Sequence, residues 1–153
     1  MSIMELGALG EFVGAFAVVA TLIYLAYQIR QSRALLLSNA YQARTDAVTS
    51  VYLAMAQDAS LVNLLGRANS GEDLSDDEQL RCATFVSIAF RNFENNHFQH
   101  QLGLLTEEHF EASEVALRGI FTSMPIYLQE WSVQKIQYRK SYVEWVDSLT
   151  TES

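Results

Sequence analysis

The sequence predicts an all-α protein in which an N-terminal membrane-spanning helix continues into a helical bundle. Only one proline and seven glycines occur among the 153 residues, so few positions would interrupt a helix. Apolar residues recur at steps of three and four, which is the periodicity of a helix with one buried face. In addition, residues 12–29 contain no charged side chain. These observations favour long helices, and no segment shows the alternation of a β-strand.

The apolar segment, residues 12–29, is long enough to cross a membrane. A helix rises about 1.5 Å per residue, so this segment spans roughly 27 Å, close to the roughly 30 Å of a bilayer's hydrocarbon core. We expect residues 1–29 to form a transmembrane helix, with Tyr24 and Tyr27 at its inner interface, where aromatic side chains collect. One alternative is a cleaved signal peptide, which would need a basic start that this chain lacks. The other is a helix buried inside a water-soluble oligomer.

The basic residues predict the orientation of the span. All ten Lys and Arg lie at Arg30 or beyond, and Arg30 and Arg33 follow the apolar segment directly. Because basic residues that flank a span stay in the cytoplasm, we expect the N-terminus outside and residues 30–153 inside as a cytoplasmic helical bundle domain. The two arginines could also touch anionic lipid headgroups. The formal net charge of −8 argues against a nucleic-acid partner, since a phosphate backbone needs a basic face.

The residues after Arg33 are predicted to continue the first helix to about residue 56. One stripe is bulky and has Arg44 as its one polar member; its apolar members are Ala34, Leu37, Tyr41, Val48, Val51 and Met55. A second stripe is mostly alanine and comprises Leu36, Ala40, Ala43, Ala47 and Ala54. A helix with one bulky face and one small face is expected to pack on two sides.

Helix-capping residues predict where the next helices begin. The run Asp58-Ala59-Ser60 is expected to end the first helix and to provide the N-cap of a short one over 61–68. Ser75 and Glu78 form a capping box that opens a long helix over 76–102. This helix is apolar nearly all round in its first half, so we expect it to be the central helix of the bundle. The apolar residues are Leu80, Ala83, Phe85, Val86, Ile88, Ala89 and Phe90.

Three further helices complete the predicted bundle. Thr106 is predicted to cap a helix over 107–122, whose acidic first turn suits the helix dipole. Pro125 precedes a helix over 126–137, and a last short helix follows. The expected core residues of these helices are Phe110, Leu117, Ile120, Phe121, Leu128, Trp131, Ile136, Tyr142, Val143, Trp145, Val146 and Leu149. Cys82, the only cysteine, excludes an internal disulfide and is expected to be inert core.

A face of small residues in the first helix predicts self-association. Gly7, Gly10 and Gly14 lie near one side, and small residues let helices approach closely in lipid. Glu11 lies between them, and a carboxylate at the centre of a membrane costs roughly 2.5–3.5 kcal/mol. It is expected to face a partner or a cavity, or, as the alternative, to sit at the outer surface. Like chains share one topology, so we expect a homo-oligomer of cyclic symmetry, with another membrane protein as the alternative partner.

The polar segment, residues 91–101, is the candidate ligand site. Glu94-x-x-His97 has the spacing that di-iron bundle proteins use on one helix, with His100 on the same face and Arg91 beside it. A di-iron site needs a second Glu-x-x-His, which the sequence lacks, so we expect no metal and no cofactor. A pocket for a small ligand is a further alternative.

The plainer interpretation of the polar segment is a solvated or intersubunit face, with Phe93 and Phe98 turned to the core. No Ser-His-Asp pattern and no glycine-rich phosphate loop accompanies it. The sequence therefore favours a non-enzymatic membrane protein that acts as a scaffold, a sensor or a pore-like assembly. The alternatives are an accessory subunit of a larger membrane complex and a ligand- or metal-binding bundle.

The chain resembles a widespread family of small uncharacterised bacterial proteins in which one span leads into a helical domain. The likeness is carried by residues 9–15 (LGEFVGA) with 22–31 (LIYLAYQIRQ), by 92–95 and 101–105, and by 130–131 with 142–147. The resemblance implies a location in the bacterial inner membrane and lends no activity. The pair Asn96-His97 departs from the more aromatic pair that the resemblance leads us to expect.

Overall fold

The computed structural model describes residues 3–151, except for the side chains of Glu5 and Leu6. Within this range the chain is helical and contains no strand, which confirms the all-α prediction. The α-helices are α1 (Ile3–Gln57), α2 (Ala59–Asn69), α3 (Asp76–Gln101), α4 (Glu107–Ser123), α5 (Pro125–Gln134) and α6 (Lys140–Thr151). A 3₁₀ turn, Lys135–Gln137, lies between α5 and α6.

The chain divides into two compact units, and the division falls inside α1. The first unit comprises the described residues up to Asn39, and the second unit begins at Ala40. The division lies beyond the domain boundary expected at residue 29. In the first unit every described side chain from Gly7 to Leu36 is exposed. The first unit therefore has no core of its own.

The second unit is built around α3. This helix packs against α2, α4, α5 and α6, as expected of a central helix. Phe90 is fully buried, and its ring contacts four other aromatic rings: Phe121, Tyr127, Trp131 and Tyr138. A smaller cluster beneath α2 contains Leu61, Leu64, Leu65, Cys82 and Phe85. Cys82 is thus a core residue, as predicted.

Helix caps confirm two of the three predicted starts in detail. Asp58 accepts hydrogen bonds from the backbone N–H groups of Ser60 and Leu61 and so caps α2. Ser75 and Glu78 form the expected capping box at the start of α3. Arg67 of α2 also donates to the Glu78 carboxylate at 2.6 Å, and this bond, with those from Ser75, lowers the pKa of Glu78 to about 2.

The expected side-chain cap at Thr106 is wrong, although α4 begins where it was predicted. Thr106 makes no capping hydrogen bond. Its hydroxyl lies 2.6 Å from Nδ1 of His109, so the imidazole three residues later engages the group that would have capped the helix. The acidic first turn, Glu107 and Glu108, is the part of the prediction that holds.

Phe98 of the polar segment aside, four residues expected in the core are exposed. Leu80 and Ile88 of α3 face outward, since α3 is covered on only part of its circumference; Leu80 is 68% exposed. Leu128 of α5 is also exposed. Ile136 is 88% exposed because it lies in the 3₁₀ turn, where the helical periodicity that predicted its burial is broken.

Candidate functional site

One helix among the described residues is long and apolar enough to cross a membrane, judged by length and composition. None of its most apolar 18-residue window is buried within the chain. A core helix of a soluble monomer would be covered by its own chain, whereas the side chains of this window are not. Phe12, Phe16 and Ile23 are examples of large side chains that stay exposed.

The residues predicted to mediate assembly are all accessible in the single chain. A Cβ atom added at Gly7, Gly10 or Gly14 would meet no atom within 4 Å apart from the helix's own nearby backbone. Glu11 is exposed. Steps of three and four residues place the three glycines near one side of α1. This side therefore offers a backbone surface that another helix can approach.

The residues predicted to lie at the membrane interface are exposed as well. Tyr24 accepts a hydrogen bond from the side-chain amide of Gln28 at 2.6 Å, one helical turn later. Tyr27, Arg30 and Arg33 make no contact that removes them from the surface. All four side chains are accessible to water or lipid.

Within the polar segment, Glu94 is an anchor between α3 and the start of α6. Its carboxylate accepts hydrogen bonds from Arg91 at 2.9 Å and from the backbone N–H of Arg139 at 3.0 Å. Burial acts to raise the pKa of Glu94, but these two bonds and the charges of both arginines lower it overall. The guanidinium of Arg91 also lies 4.2 Å from the ring centre of Tyr138. The side chains of Arg91 and Glu94 are therefore both engaged in contacts that hold the bundle together.

The two histidines of the polar segment have different surroundings from Glu94. His97 is 7% exposed and lies among the rings of Phe110, Tyr142 and Trp145. Burial, followed by the charges of Arg139 and His100, lowers the pKa of His97 and so disfavours its charged form. Its Nδ1 atom is buried and has no hydrogen-bond partner within residues 3–151 as described.

His100 is held against a second helix. Its ring stacks on Phe110 with centroids 4.0 Å apart, and its Nε2 lies 2.9 Å from the Glu107 carboxylate. By contrast, Arg91 and Glu94 line a shallow cavity of about 210 Å³ whose other lining residues are Asn95, Phe98 and Arg139. The four residues of the candidate ligand site are therefore not gathered around that cavity. Among the described residues, no three His, Cys, Asp or Glu side chains come together as metal ligands.

The expectation of a solvated polar face is wrong for Asn96 and His97, which are both buried. They follow Phe93 by three and four residues, so they lie on the side of α3 that Phe93 turns toward the core. Phe98 was expected in the core but is 44% exposed, and the guanidinium of Arg139 covers its ring at 4.5 Å. Helical spacing, rather than polarity, decides which of these residues is buried.

A larger cavity in the second unit involves none of the predicted site residues. Its volume is about 390 Å³, and it lies between the second half of α1 and helices α3 and α4. The lining is mostly apolar and includes Val48, Val51, Met55, Leu65, Phe85, Ala89, Ala116, Ile120 and Tyr127. Asn92, Asn96, Ser113 and Arg44 supply most of its polar atoms. Such a cavity has the usual character of a small-molecule site in a helical protein.

The polar end of this cavity is centred on Arg44. Arg44 donates to the Ser113 hydroxyl at 3.0 Å, and the Asn96 amide lies 3.5 Å from the same oxygen. Ser113 in turn donates to the backbone carbonyl of His109 at 3.0 Å. Nε of Arg44 is buried and has no hydrogen-bond partner in the part of the chain that the structure describes. The sequence does contain one signal for this site, since Arg44 is the one polar member of an apolar stripe.

Comparisons of the chain with models of known families, with curated proteins and with solved structures found no match. The resemblance to small bacterial single-span proteins therefore stays a prediction. We infer function from the exposed apolar helix, the engaged polar segment and the cavity at Arg44.

Proposed function

We propose that the protein is a non-enzymatic membrane protein that crosses the bilayer once and assembles with its own copies through the span. The observation that carries this proposal is the exposed apolar surface of the first unit. Each large apolar side chain contributes about 1.5–3 kcal/mol when it leaves water, and Phe12, Phe16, Leu22 and Ile23 are all uncovered. Their sum is comparable with the roughly 5–15 kcal/mol that stabilises an ordinary domain, so a partner or lipid must cover them.

The proposed orientation places the N-terminus outside and the helical bundle in the cytoplasm. Arg30 and Arg33 are exposed just after the apolar segment and would remain on the cytoplasmic side. The resemblance to bacterial single-span proteins makes the inner membrane the expected location. A reporter fused after Ser153 should be active in the cytoplasm and silent outside.

Self-assembly is proposed through the face that contains Gly7, Gly10 and Gly14. Among the side chains that the structure describes, none beyond the immediate chain neighbours covers these glycines, and close helix approach is most favourable where side chains are absent. Glu11 on the same side would hydrogen-bond within the assembly rather than face lipid. Parallel spans that share one topology would form a ring of cyclic symmetry, suited to a scaffold, a sensor or a pore-like assembly.

A non-enzymatic role is supported by the contacts of the polar segment. Glu94 is occupied by Arg91 and by the backbone of Arg139, and His97 lies in an aromatic cluster. A general acid or base has to reach a substrate, whereas these groups contact other parts of the bundle. They are better explained as elements that fix α6 against α3.

The test is the mass of the chain purified in mild detergent, for the natural protein and for two leucine variants. Gly14→Leu places a bulky side chain on the proposed contact face and should convert the oligomer to monomer. Ala20→Leu adds the same side chain on another side of α1 and should leave the oligomer intact. A natural chain that is monomeric, or that leaves native membranes with unequal amounts of another protein, would favour an accessory subunit instead. Full release by carbonate would overturn the span itself.

A further inference from the structure

We propose that the cavity between α1, α3 and α4 binds a small amphiphilic carboxylate, a free monocarboxylic acid whose apolar tail fills the cavity and whose carboxylate pairs with Arg44. This inference goes beyond membrane anchoring and self-assembly, and it does not depend on either. It rests on the size of the cavity, on its apolar lining and on one uncompensated cation at its polar end.

The lining and volume of the cavity suit an aliphatic tail. Apolar side chains reach it from five helices, for example Val51 of α1, Leu65 of α2, Phe85 of α3, Ile120 of α4 and Tyr127 of α5. A cavity of about 150 Å³ lined by apolar side chains admits benzene. By proportion, about 390 Å³ has room for about fifteen carbon atoms, so a ten-carbon acid fits with its carboxylate. Decanoate is therefore a suitable probe.

The charge at the polar end specifies an anion. Arg44 is the only charged residue that lines the cavity, and Ser113, a neutral hydroxyl, is its hydrogen-bond partner within the described chain. The Arg44 side chain is half-buried, but its Nε is fully buried and has no acceptor among the described residues. Burying a donor of a charged group without an acceptor is costly. The guanidinium presents a planar fork of N–H donors that matches the two oxygens of a carboxylate. A carboxylate would supply both a negative charge for the guanidinium and an acceptor for Nε.

The neighbouring amides complete the polar end. Asn96 is 6% exposed, and its amide reaches the same Ser113 oxygen as Arg44 does. Asn92 also lines the cavity, one helical turn before Asn96. Amide N–H groups can donate to a carboxylate that lies beside the guanidinium. One cation flanked by neutral donors favours a ligand with a single negative charge.

Three other occupants fit these observations less well. A neutral apolar molecule would fill the cavity but would leave Nε of Arg44 without an acceptor. A phospholipid with two long acyl chains exceeds a volume of about 390 Å³. A second copy of the chain would have to insert a helix into the cavity and place an acidic side chain beside Arg44. All three are distinguished from a free carboxylate by the experiment below.

The experiment measures binding of radiolabelled decanoate by equilibrium dialysis against the full chain in nanodiscs of zwitterionic lipid. Decanol serves as the neutral ligand of matched tail. Nanodiscs that contain no protein give the lipid background, which is subtracted so that only binding by the protein remains. We expect saturable binding of one decanoate per chain and an affinity at least about tenfold lower in Arg44→Gln, because a hydrogen bond to a charged group is lost. Decanol should bind equally to both proteins.

Two alanine substitutions on α4 test whether the ligand occupies the cavity. Ala116 lines the cavity, and Ala116→Leu should weaken decanoate binding by filling the space. Ala112→Leu changes an exposed position of the same helix that does not line the cavity and should leave binding unchanged. Tryptophan fluorescence from Trp131 and Trp145 checks that each variant keeps the fold of the bundle.

Several results would overturn the proposal. They are equal affinity for decanoate and decanol in the natural chain, binding that is insensitive to Arg44→Gln, and binding that is insensitive to Ala116→Leu. A phospholipid that is retained at one copy per chain and is not displaced by decanoate would assign the cavity to a membrane lipid. A crosslink between copies through position 116 would assign it to a second chain.

Discussion

The two units of the chain place the same residue types in opposite surroundings. Phe16 in the first unit is exposed, whereas Phe90 in the second unit is fully buried among aromatic rings. Hydrophobicity is similar at the two positions, so it does not by itself determine burial. The difference is that the second unit supplies neighbours from four helices around α3, and the first unit is a single helical segment. The comparison shows that one apolar surface is satisfied by its own chain and the other must be satisfied from outside it.

The largest difference in bundle stability is expected when one phenylalanine of each unit is replaced by alanine. Phe90→Ala should destabilise the bundle by about 3–5 kcal/mol, since it removes a buried ring and leaves a cavity. Phe16→Ala should change the unfolding of the bundle by less than about 0.5 kcal/mol, as for other exposed positions. Both tryptophans belong to the second unit, so denaturant unfolding followed by tryptophan fluorescence reports on the bundle alone. Equal destabilisation by both variants would contradict the comparison.

The next largest effect is expected when a lysine is introduced into each unit. Here the first unit should be the more sensitive of the two. Val19→Lys places a cation in the apolar segment and should oppose membrane insertion by about 2.5–3.5 kcal/mol. Val133→Lys changes an exposed residue of α5 and should affect neither insertion nor bundle stability by more than about 0.5 kcal/mol. The measurement is the fraction of each variant that remains in membranes after carbonate extraction. Insertion of Val19→Lys equal to that of the natural chain would argue that the segment does not span the bilayer.

A smaller effect depends on pH and is confined to the second unit. Burial lowers the pKa of His97, and Glu94, His100, Arg139 and Tyr142 are the ionisable groups around it. The unfolded chain takes up the proton first, so stability present at pH 7 should be lost as the pH falls below about 6.5. His97→Phe keeps an aromatic ring at this position and should remove the part of the stability loss on acidification that comes from His97.

The control for this pH effect is His109→Gln, a substitution of a less buried histidine on α4. Denaturant midpoints at pH 7.5 and pH 5.5 should converge in His97→Phe and stay apart in His109→Gln. If His97→Phe loses as much stability on acidification as the natural chain, another group is responsible. Acidic residues such as Glu78, whose pKa is about 2, contribute their loss only at lower pH.

The helix boundaries could be predicted because their causes are local. Ser75 and Glu78 form a capping box that is visible in four consecutive residues, and Asp58 caps the preceding helix, α2, by accepting from two nearby backbone N–H groups. Burial within the polar segment could have been predicted from spacing, since Asn96 and His97 share a helix face with Phe93, but their polarity suggested solvent. Local patterns therefore account for the elements and for part of the core.

The cavity could not be predicted because its parts come from distant positions. The hydrogen-bond partner of Arg44 is Ser113, 69 residues later in the sequence. Only the packing of α1 beside α3 and α4 brings them together. Similarly, Leu80 and Ile88 match the pattern of core residues, and their exposure depends on which sides of α3 the other helices cover. Such outcomes depend on tertiary packing, which hydrophobic periodicity does not specify.

The smallest predicted effect separates two helix starts within the second unit. Ser75 accepts a hydrogen bond from the backbone of Glu78, whereas Thr106 makes no side-chain cap and contacts His109 instead. Ser75→Ala should destabilise the bundle by about 1 kcal/mol, the usual cost of a lost cap. Thr106→Ala should destabilise the bundle by less than this, because no capping hydrogen bond is lost. Unfolding curves followed by the two tryptophans provide the measurement, and a larger loss in Thr106→Ala would show that the hydroxyl caps α4 after all.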